Sequence, residues 1–413
     1  MSSRLIYTKQ AFFICTLLVV AFPIWPIRWA AGFIMLWFFT SIISLILNGK
    51  KDWTKNLALL LLFSSLFLYY AITYFIVDMP EGSIHYLERS LSLLIFPLGF
   101  YFVDPGFQKK QRNWLLLTFE LASFVLTAYI AFDTIPIIVK HWDKVKMGTE
   151  FSWAFRYHVE NLIKIHPTYL SLFLLFSVFL KMHRLIERDV AQPWWDVSWN
   201  AFQMALMLLC SLLLSSRGPL IAFGVALLVY FIQVNWKRTI IGLAAALPIV
   251  ALLFINVPAI SGRFSELTDA NRTNQEKELN SVSIRFEIFK CTSEILSDHW
   301  LLGVGIGNVQ PALDDCYVNN GKEELRKMQF NTHNQYAHVW MANGLPGLII
   351  FILMLGIPLY LSIRKRDIPY QVFLLMVGIC FFTENLLDRQ HGVVFFAFFN
   401  TLFAFHLISP IKR

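Results

Sequence analysis

A histidine between helix-start and helix-stop signals is the first candidate for chemistry. Segment 331–347 begins with Asn331 and Thr332, which are good helix caps, and ends with Gly344-Leu345-Pro346-Gly347. This pattern predicts a short helix from about His333 that stops before the next apolar run. In a first turn the free N–H groups and the helix dipole favour an anion and disfavour an imidazolium. His333 could therefore stay neutral and accept a proton, or it could be an ordinary interfacial histidine.

Metal ligation is not expected from this segment. His338 follows His333 by five residues, which is a poor spacing for two ligands on one helix face. We expect no metal and no cofactor.

Arg217 is the first candidate for anion binding. It lies in Leu214-Ser215-Ser216-Arg217-Gly218-Pro219, a short break between two apolar runs. A guanidinium near lipid is costly unless it is paired or lines a polar cavity. Its partner would be a lipid phosphate or a dedicated phosphate or diphosphate site, because arginine binds such oxygens in a bidentate fork.

Arg285 is the second candidate for anion binding. The apolar positions Ile284, Ile288, Ile295 and Leu296 predict an amphipathic helix, with Ser283 as its cap. Arg285 would then lie in the first turn, where a cation is unfavourable unless an anion accompanies it. We weigh a functional anion site equally with a surface charge.

Alternating glycines follow this helix in Gly303-Val304-Gly305-Ile306-Gly307-Asn308. Gly305 and Gly307 could form a backbone nest for phosphate. A tight bend that allows close backbone packing is the favoured alternative.

Other polar residues lie near the ends of apolar runs. Arg156 could gather acceptor phosphates, and His166, at the start of a run, could line a polar cavity or cap a helix. Glu384 is either a functional carboxylate at a span end or the partner of a nearby arginine. Glu120 lies inside an apolar run. An ionisable residue there leaves a transporter or flippase as an alternative from a different class of protein. Nucleotide-binding and serine-hydrolase motifs do not occur.

Three of these blocks together resemble the O-antigen ligase family. The family signature is a histidine, a polar residue, nine residues and Gly-x-x-Gly, which here is His333-Asn334 followed by Gly344-Leu345-Pro346-Gly347. Ser216-Arg217-Gly218, and Arg285 followed by the glycine block, resemble other family motifs. The resemblance covers roughly residues 199–363. The superfamily also holds O-antigen polymerases and protein O-oligosaccharyltransferases, which these motifs do not separate.

The resemblance implies an inverting, metal-independent glycosyltransferase with a GT-C-like fold in the bacterial inner membrane. Its substrates would be an undecaprenyl-diphosphate-linked glycan and a lipid A-core acceptor at the periplasmic face. By position, His333 would assist the acceptor hydroxyl, and Arg217 and Arg285 would bind the diphosphate. Asn334, Gly305, Gly307, Arg156 and His166 would complete the substrate site.

These residues must be positioned by membrane spans. The chain has 413 residues, of which 57% are hydrophobic and only 15% are charged. A span needs roughly 20 apolar residues, and such a composition excludes a disordered chain and an ordinary soluble globule. Twelve runs qualify, the weaker ones being the last four: 29–48, 57–77, 114–139, 218–235, 239–257, 345–363, 370–388, 391–409, 11–26, 90–103, 166–182 and 199–214.

Charge placement gives the orientation. With an uncleaved first span and both termini cytoplasmic, the cytoplasmic segments hold 18 of the 35 Lys and Arg residues. The short loops on the other side hold only Arg28, Arg89, Arg217 and Arg389, as the positive-inside rule requires. The net charge of +8 therefore reflects topology, and we expect membrane lipids but no nucleic acid as partners.

The chain then divides into three parts. Residues 1–257 are predicted to form spans 1–9, residues 258–333 a periplasmic helical loop region, and residues 334–413 spans 10–12. Cys291 and Cys316 share the external region, where a disulfide is permitted. The sequence leaves open whether these two cysteines form a disulfide bridge or are two free thiols.

Overall fold

The computed structural model describes residues 3–50, 52–140, 149–187, 193–234 and 281–408. Within these ranges the secondary structure is helical, and it confirms the predicted all-α class. The helices are α1 (Ser3–Val20), α2 (Ile27–Asn48), α3 (Leu57–Ile76), α4 (Ile84–Ser90), α5 (Ser92–Val103), α6 (Lys109–Lys140), α7 (Thr149–Ile163), α8 (Pro167–Ile186), α9 (Trp194–Leu213), α10 (Arg217–Val234), α11 (Ser281–His299), α12 (Val309–Asn319), α13 (Glu323–Lys327), α14 (Gln335–Lys365), α15 (Ile368–Cys380) and α16 (Gln390–Ile408).

Nine helical segments of the described chain are long and apolar enough to cross a membrane, and two shorter apolar helices, Ile6–Val20 and Ile368–Cys380, accompany them. The weak run at 90–103 is part of a longer segment, Ile84–Val103, which includes α4 and α5. The run predicted at 239–257 lies outside the described residues. The chain is therefore a polytopic membrane protein, and the total of twelve spans stays a prediction.

The prediction of one span over 370–388 is wrong at its end. α15 stops at Cys380, and residues 381–389 form a loop with a single 3-10 turn at Leu386–Asp388. The polar residues Thr383, Glu384 and Asn385 break the apolar run. They lie outside the helix, beside the residues that precede α14.

α14 is a bent helix. Gly344 has φ +62°, and a Cβ there would meet the carbonyl oxygen of Leu301 at 2.0 Å, so glycine is required for both the conformation and the approach. The rings of Tyr336 and Phe351 are 5.4 Å apart, whereas a straight helix would separate these positions by about 22 Å. The predicted short helix before Gly344 is confirmed, followed by the spanning part of α14.

The start of α14 differs from the prediction. Its N-cap is Asn334, whose side-chain oxygen accepts the Ala337 N–H at 3.1 Å. His333 precedes the helix and has φ +44°. His333 is therefore not in a first helical turn. The prediction that the helix dipole acts on its ring was based on the wrong helix start.

Helices α11, α12 and α13 follow α10 and lie in the region that the charge pattern predicts to be external, and they are called the external unit below. Cys291 on α11 and Cys316 on α12 form a disulfide with a Cα–Cα distance of 5.8 Å, which answers the question that the sequence left open. α11 begins at Ser281, so Ser283 is not its cap, and Arg285 lies one turn further into the helix than predicted. Residues 235–280 lie outside the described ranges, so the boundary at 257 stays a prediction.

Phenylalanines fill the core among the spans. Phe119 on α6 contacts Phe399 on α16 with ring centroids 4.8 Å apart, and Phe173 on α8 contacts Phe395 on α16 at the same separation. All four rings are nearly inaccessible to solvent. This packing fixes α6, α8 and α16 against one another and so positions the loop that precedes α16.

Candidate active site

The 381–389 loop wraps around the N-terminus of α14. The Gln335 N–H donates to the Phe381 carbonyl oxygen at 2.7 Å, and the Leu387 N–H donates to the Gln335 Oε1 atom at 2.8 Å. Gln335 is fully buried. These bonds satisfy helix-terminal and loop backbone groups, and they fix the loop beside His333.

His333 lies next to the carboxylate of Glu384. Its Nδ1 atom is 3.7 Å from the Glu384 Oε1 atom, which is an ion-pair distance rather than a hydrogen-bond distance. The His333 N–H donates to the Asn331 Oδ1 atom at 3.1 Å, and the His333 side chain is 26% exposed. The ring is thus held by its backbone and a neighbouring carboxylate while remaining accessible to a substrate.

Glu384 is ionised because positive groups surround it. Burial alone would raise its pKa, but the contact with His333 and the charges of His166 and Arg285 outweigh burial and lower the pKa. A partly buried carboxylate with a lowered pKa, among three basic side chains, is the electrostatic centre of the site. Sequence reasoning did not place Glu384 in the site.

Arg217 lies against this loop. It is the first residue of α10, and a Cβ on the neighbouring Gly218 would meet the Thr383 Oγ1 atom at 2.2 Å. Only glycine allows α10 to begin this close to the loop. Gly218 thereby brings the Arg217 backbone next to the residue that precedes Glu384.

Arg285 reaches the same place from α11. The protein around its guanidinium lowers its pKa by desolvation, Glu384 acts in the opposite direction, and the positive charge of Arg217 lowers it further. The side chain nevertheless remains exposed. Arg285 and His333 therefore converge on Glu384, and Arg217 lies within electrostatic reach of Arg285 beside the same loop.

A second polar network also fixes the 381–389 loop. Asn385 is fully buried, accepts the Thr332 hydroxyl at 3.0 Å and donates to the Asp388 Oδ2 atom at 3.0 Å. The Nε2 atom of His338 lies 3.3 Å from the Asp388 Oδ1 atom. His338 is therefore engaged with Asp388, at the base of the site.

Two of the other predicted substrate residues, His166 and Arg156, make contacts at helix ends. His166 caps α8, where its Nδ1 atom accepts the Thr168 N–H at 3.4 Å, and burial lowers its pKa although Glu384 and Glu160 oppose this effect. Arg156 donates to the Leu214 carbonyl oxygen at 3.2 Å. His166 is thus within electrostatic reach of Glu384, and Arg156 ties α7 to the turn before Arg217.

The glycine block and Asn334 have structural roles. A Cβ on Gly305 would meet Met79 at 2.6 Å, one on Gly307 would meet Ser83 at 2.5 Å, and the Gly305 N–H donates to the Ala342 carbonyl oxygen at 2.9 Å. This arrangement is the close packing that the sequence analysis favoured. Asn334 uses its side chain as the α14 cap. Their substrate-binding roles stay predictions.

One group of three ligand-type side chains in the described ranges meets the distance requirement for a metal, namely Cys291, Glu294 and Cys316. Both cysteines are in the disulfide and therefore cannot act as thiolates. This group lies on the external unit and contains none of the residues that converge on Glu384.

The fold and site define a polytopic helical membrane protein with a basic cluster around one carboxylate at the ends of its spans. Residues 202–352 match the family model described as O-antigen ligase, and this match confirms the family resemblance predicted from the motifs. The matched segment contains Arg217, Arg285 and His333, but not Glu384. No curated protein shows a significant match to the chain. The match supports a membrane enzyme of the O-antigen ligase and polymerase superfamily.

Proposed function

We propose that this protein transfers a glycan from undecaprenyl diphosphate to the lipid A-core oligosaccharide at the periplasmic face of the bacterial inner membrane. The observation that carries the proposal is the convergence of Arg285 and His333 on Glu384, with Arg217 within electrostatic reach of Arg285. Three elements that are distant in sequence bring these side chains together. The orientation has both termini in the cytoplasm.

The two arginines bind the diphosphate. Desolvation lowers the pKa of Arg285, Glu384 opposes this effect, and Arg217 lowers the pKa further because the two positive charges repel each other. An anion with two phosphate groups relieves that repulsion, and each guanidinium offers a fork that fits phosphate oxygens. As the diphosphate leaves, the arginines offset its developing negative charge without a metal ion.

His333 assists the acceptor. The acceptor hydroxyl oxygen bonds to the anomeric carbon while the bond from that carbon to the diphosphate oxygen breaks, which inverts the configuration. The hydroxyl proton passes to the His333 ring late in the step, because a sugar hydroxyl is far less acidic than an imidazolium. Glu384 stabilises the imidazolium that forms, since an adjacent carboxylate favours the charged ring.

The remaining predicted residues are assigned to substrate positioning. Arg156 and His166 approach from the α7–α8 side and would contact acceptor phosphates. Asn334, Gly305 and Gly307 shape the backbone around His333 and the α14 bend. In this arrangement donor and acceptor enter from different sides of the 381–389 loop.

A reconstituted transfer assay tests the proposal. The purified protein in liposomes receives radiolabelled undecaprenyl-diphosphate glycan together with lipid A-core, with and without a chelator. We expect label on lipid A-core in both conditions. Label on a longer lipid-linked chain or on protein would instead identify a polymerase or a protein transferase, and dependence on divalent metal would contradict the two-arginine account.

A further inference from the structure

α11 carries an exposed apolar face that the transfer reaction does not use. Phe286 and Phe289 are 68% and 69% exposed, and directly after the helix Trp300, Leu301 and Leu302 are 49%, 47% and 71% exposed. Large exposed apolar patches mark interaction surfaces. We call these five residues the α11 apolar face.

One end of α11 lies at the external end of the spans. The Leu345 N–H, where the spanning part of α14 begins, donates to the Trp300 carbonyl oxygen at 2.9 Å. Two residues earlier, the Asn343 Oδ1 atom accepts the Thr73 hydroxyl at 3.2 Å. Thr73 is three residues from the end of α3. Trp300 is therefore level with the ends of both spanning helices.

The other end of α11 lies at the same boundary. Arg285 is within electrostatic reach of Arg217, the first residue of the spanning helix α10, and of Glu384, which follows α15. About 22 Å of helix separates Arg285 from Trp300. Because both ends are at span ends, α11 lies along the membrane surface rather than standing away from it.

The opposite side of α11 faces the charged part of the external unit. Cys291 joins α11 to α12 through the disulfide, and α13 beyond it exposes Glu323, Glu324, Arg326 and Lys327. Phe289 is two residues from Cys291, which places the two side chains about 200° apart around the helix. The apolar face thus points away from the charged side.

We propose that α11 is an interfacial helix whose apolar face lies in the acyl-chain boundary of the external leaflet. The neighbouring end of α3 exposes Phe75 and Ile76 by 82% and 76%, so the face continues the lipid-facing surface of a span. Tryptophan is favoured at this depth, and an amphipathic helix lies in the interface plane with its apolar side buried. This placement holds Arg285 in the phosphate layer of the membrane, whatever the enzyme transfers.

Nitroxide accessibility tests the placement. Spin labels are attached to Phe289→Cys and Leu302→Cys in the full-length protein, reconstituted in phosphatidylethanolamine and phosphatidylglycerol liposomes. The control is Lys327→Cys on the exposed side of α13. The free cysteines Cys15, Cys210 and Cys380 are buried, so the label reports the introduced site.

Oxygen partitions into hydrocarbon, whereas a nickel chelate stays in water. We expect the labels at 289 and 302 to be relaxed mainly by oxygen and the label at 327 mainly by nickel. Ser293→Cys, a smaller change at an exposed position on the same side as Phe289, should behave like Phe289→Cys. Nickel accessibility equal to that at 327 would overturn the proposal. Protection from both reagents would overturn it too, because it would mean that protein covers the face.

Discussion

Charged side chains cluster at the two opposite ends of the spans, and the two clusters differ in how they are matched. At one end the Arg112 Nη1 and Nη2 atoms donate to the two carboxylate oxygens of Asp367, both at 2.6 Å. Deeper in, Lys181 and Arg184 lie 3.5 and 2.7 Å from the same Glu120 oxygen. These groups are closely paired within the protein, so they hold helices together.

The cluster at the other end is arranged differently. Arg217 and Arg285 repel each other beside Glu384, and His333 contacts that carboxylate only at 3.7 Å. Arg285 and His333 are also accessible, unlike Lys181 and Glu120, which are 2% exposed. Short matched pairs thus identify structural charges, while repelling, accessible charges identify a place for an anionic ligand.

The largest expected effect is on stability at the matched end. Arg112→Ala leaves Asp367 buried without its bidentate partner and should cost about 3–5 kcal/mol. Thermal unfolding of the detergent-purified protein measures this loss. Arg326→Ala, on an exposed turn of α13, is the matched control and should unfold like the wild type. An unchanged Arg112→Ala protein would break the distinction between the two clusters.

Arg285→Ala should show the opposite behaviour. Loss of one positive group at a developing anion costs about 10²–10³-fold in rate, so transfer should fall by that factor. The unfolding temperature should not fall, because desolvation and the repulsion from Arg217 together outweigh the attraction of Arg285 to Glu384, as its lowered pKa indicates. Lys290→Ala, an exposed site on the same helix, should retain activity. Full transfer by the Arg285 variant would remove the diphosphate site from this cluster.

Glu384→Gln should have a smaller effect, an approximately 10-fold loss of transfer, since general acid–base assistance is worth about 10²–10⁴-fold and the histidine remains. Because the pKa of Glu384 is lowered, its carboxylate stays ionised from neutral pH to below the usual pKa of a glutamate. The support that Glu384 gives to His333 is therefore lost only in acid. Glu323→Gln is the exposed control and should transfer like the wild type. Wild-type transfer by Glu384→Gln would contradict a role for this carboxylate beside His333.

The sequence predicted the parts of the site that local pattern determines. Arg217 and Arg285 were selected because each is a cation in an electrostatically costly position, and the short helix before Gly344 followed from its stop signals. The start of α14 was missed by two residues, because Asn331, Thr332 and Asn334 are all competent caps and only the structure shows which one is used.

The role of Glu384 could not be predicted in the same way. It is about fifty residues from His333 in sequence, and the contact depends on α15 ending at Cys380 rather than continuing to 388. The polar break at Thr383-Glu384-Asn385 was the available signal, but it lay inside an otherwise apolar run. The disulfide likewise depends on how α11 and α12 pack, which cysteine spacing alone does not determine.

The central claim is that His333 assists glycan transfer in this basic cluster. The most direct measurement is label transfer from undecaprenyl-diphosphate glycan to lipid A-core by His333→Ala in liposomes, with insertion checked by protein level. His299→Ala, an exposed histidine at the end of α11, is the control. The account predicts loss of transfer in His333→Ala and normal transfer in His299→Ala. Full transfer by the inserted His333→Ala protein would contradict it.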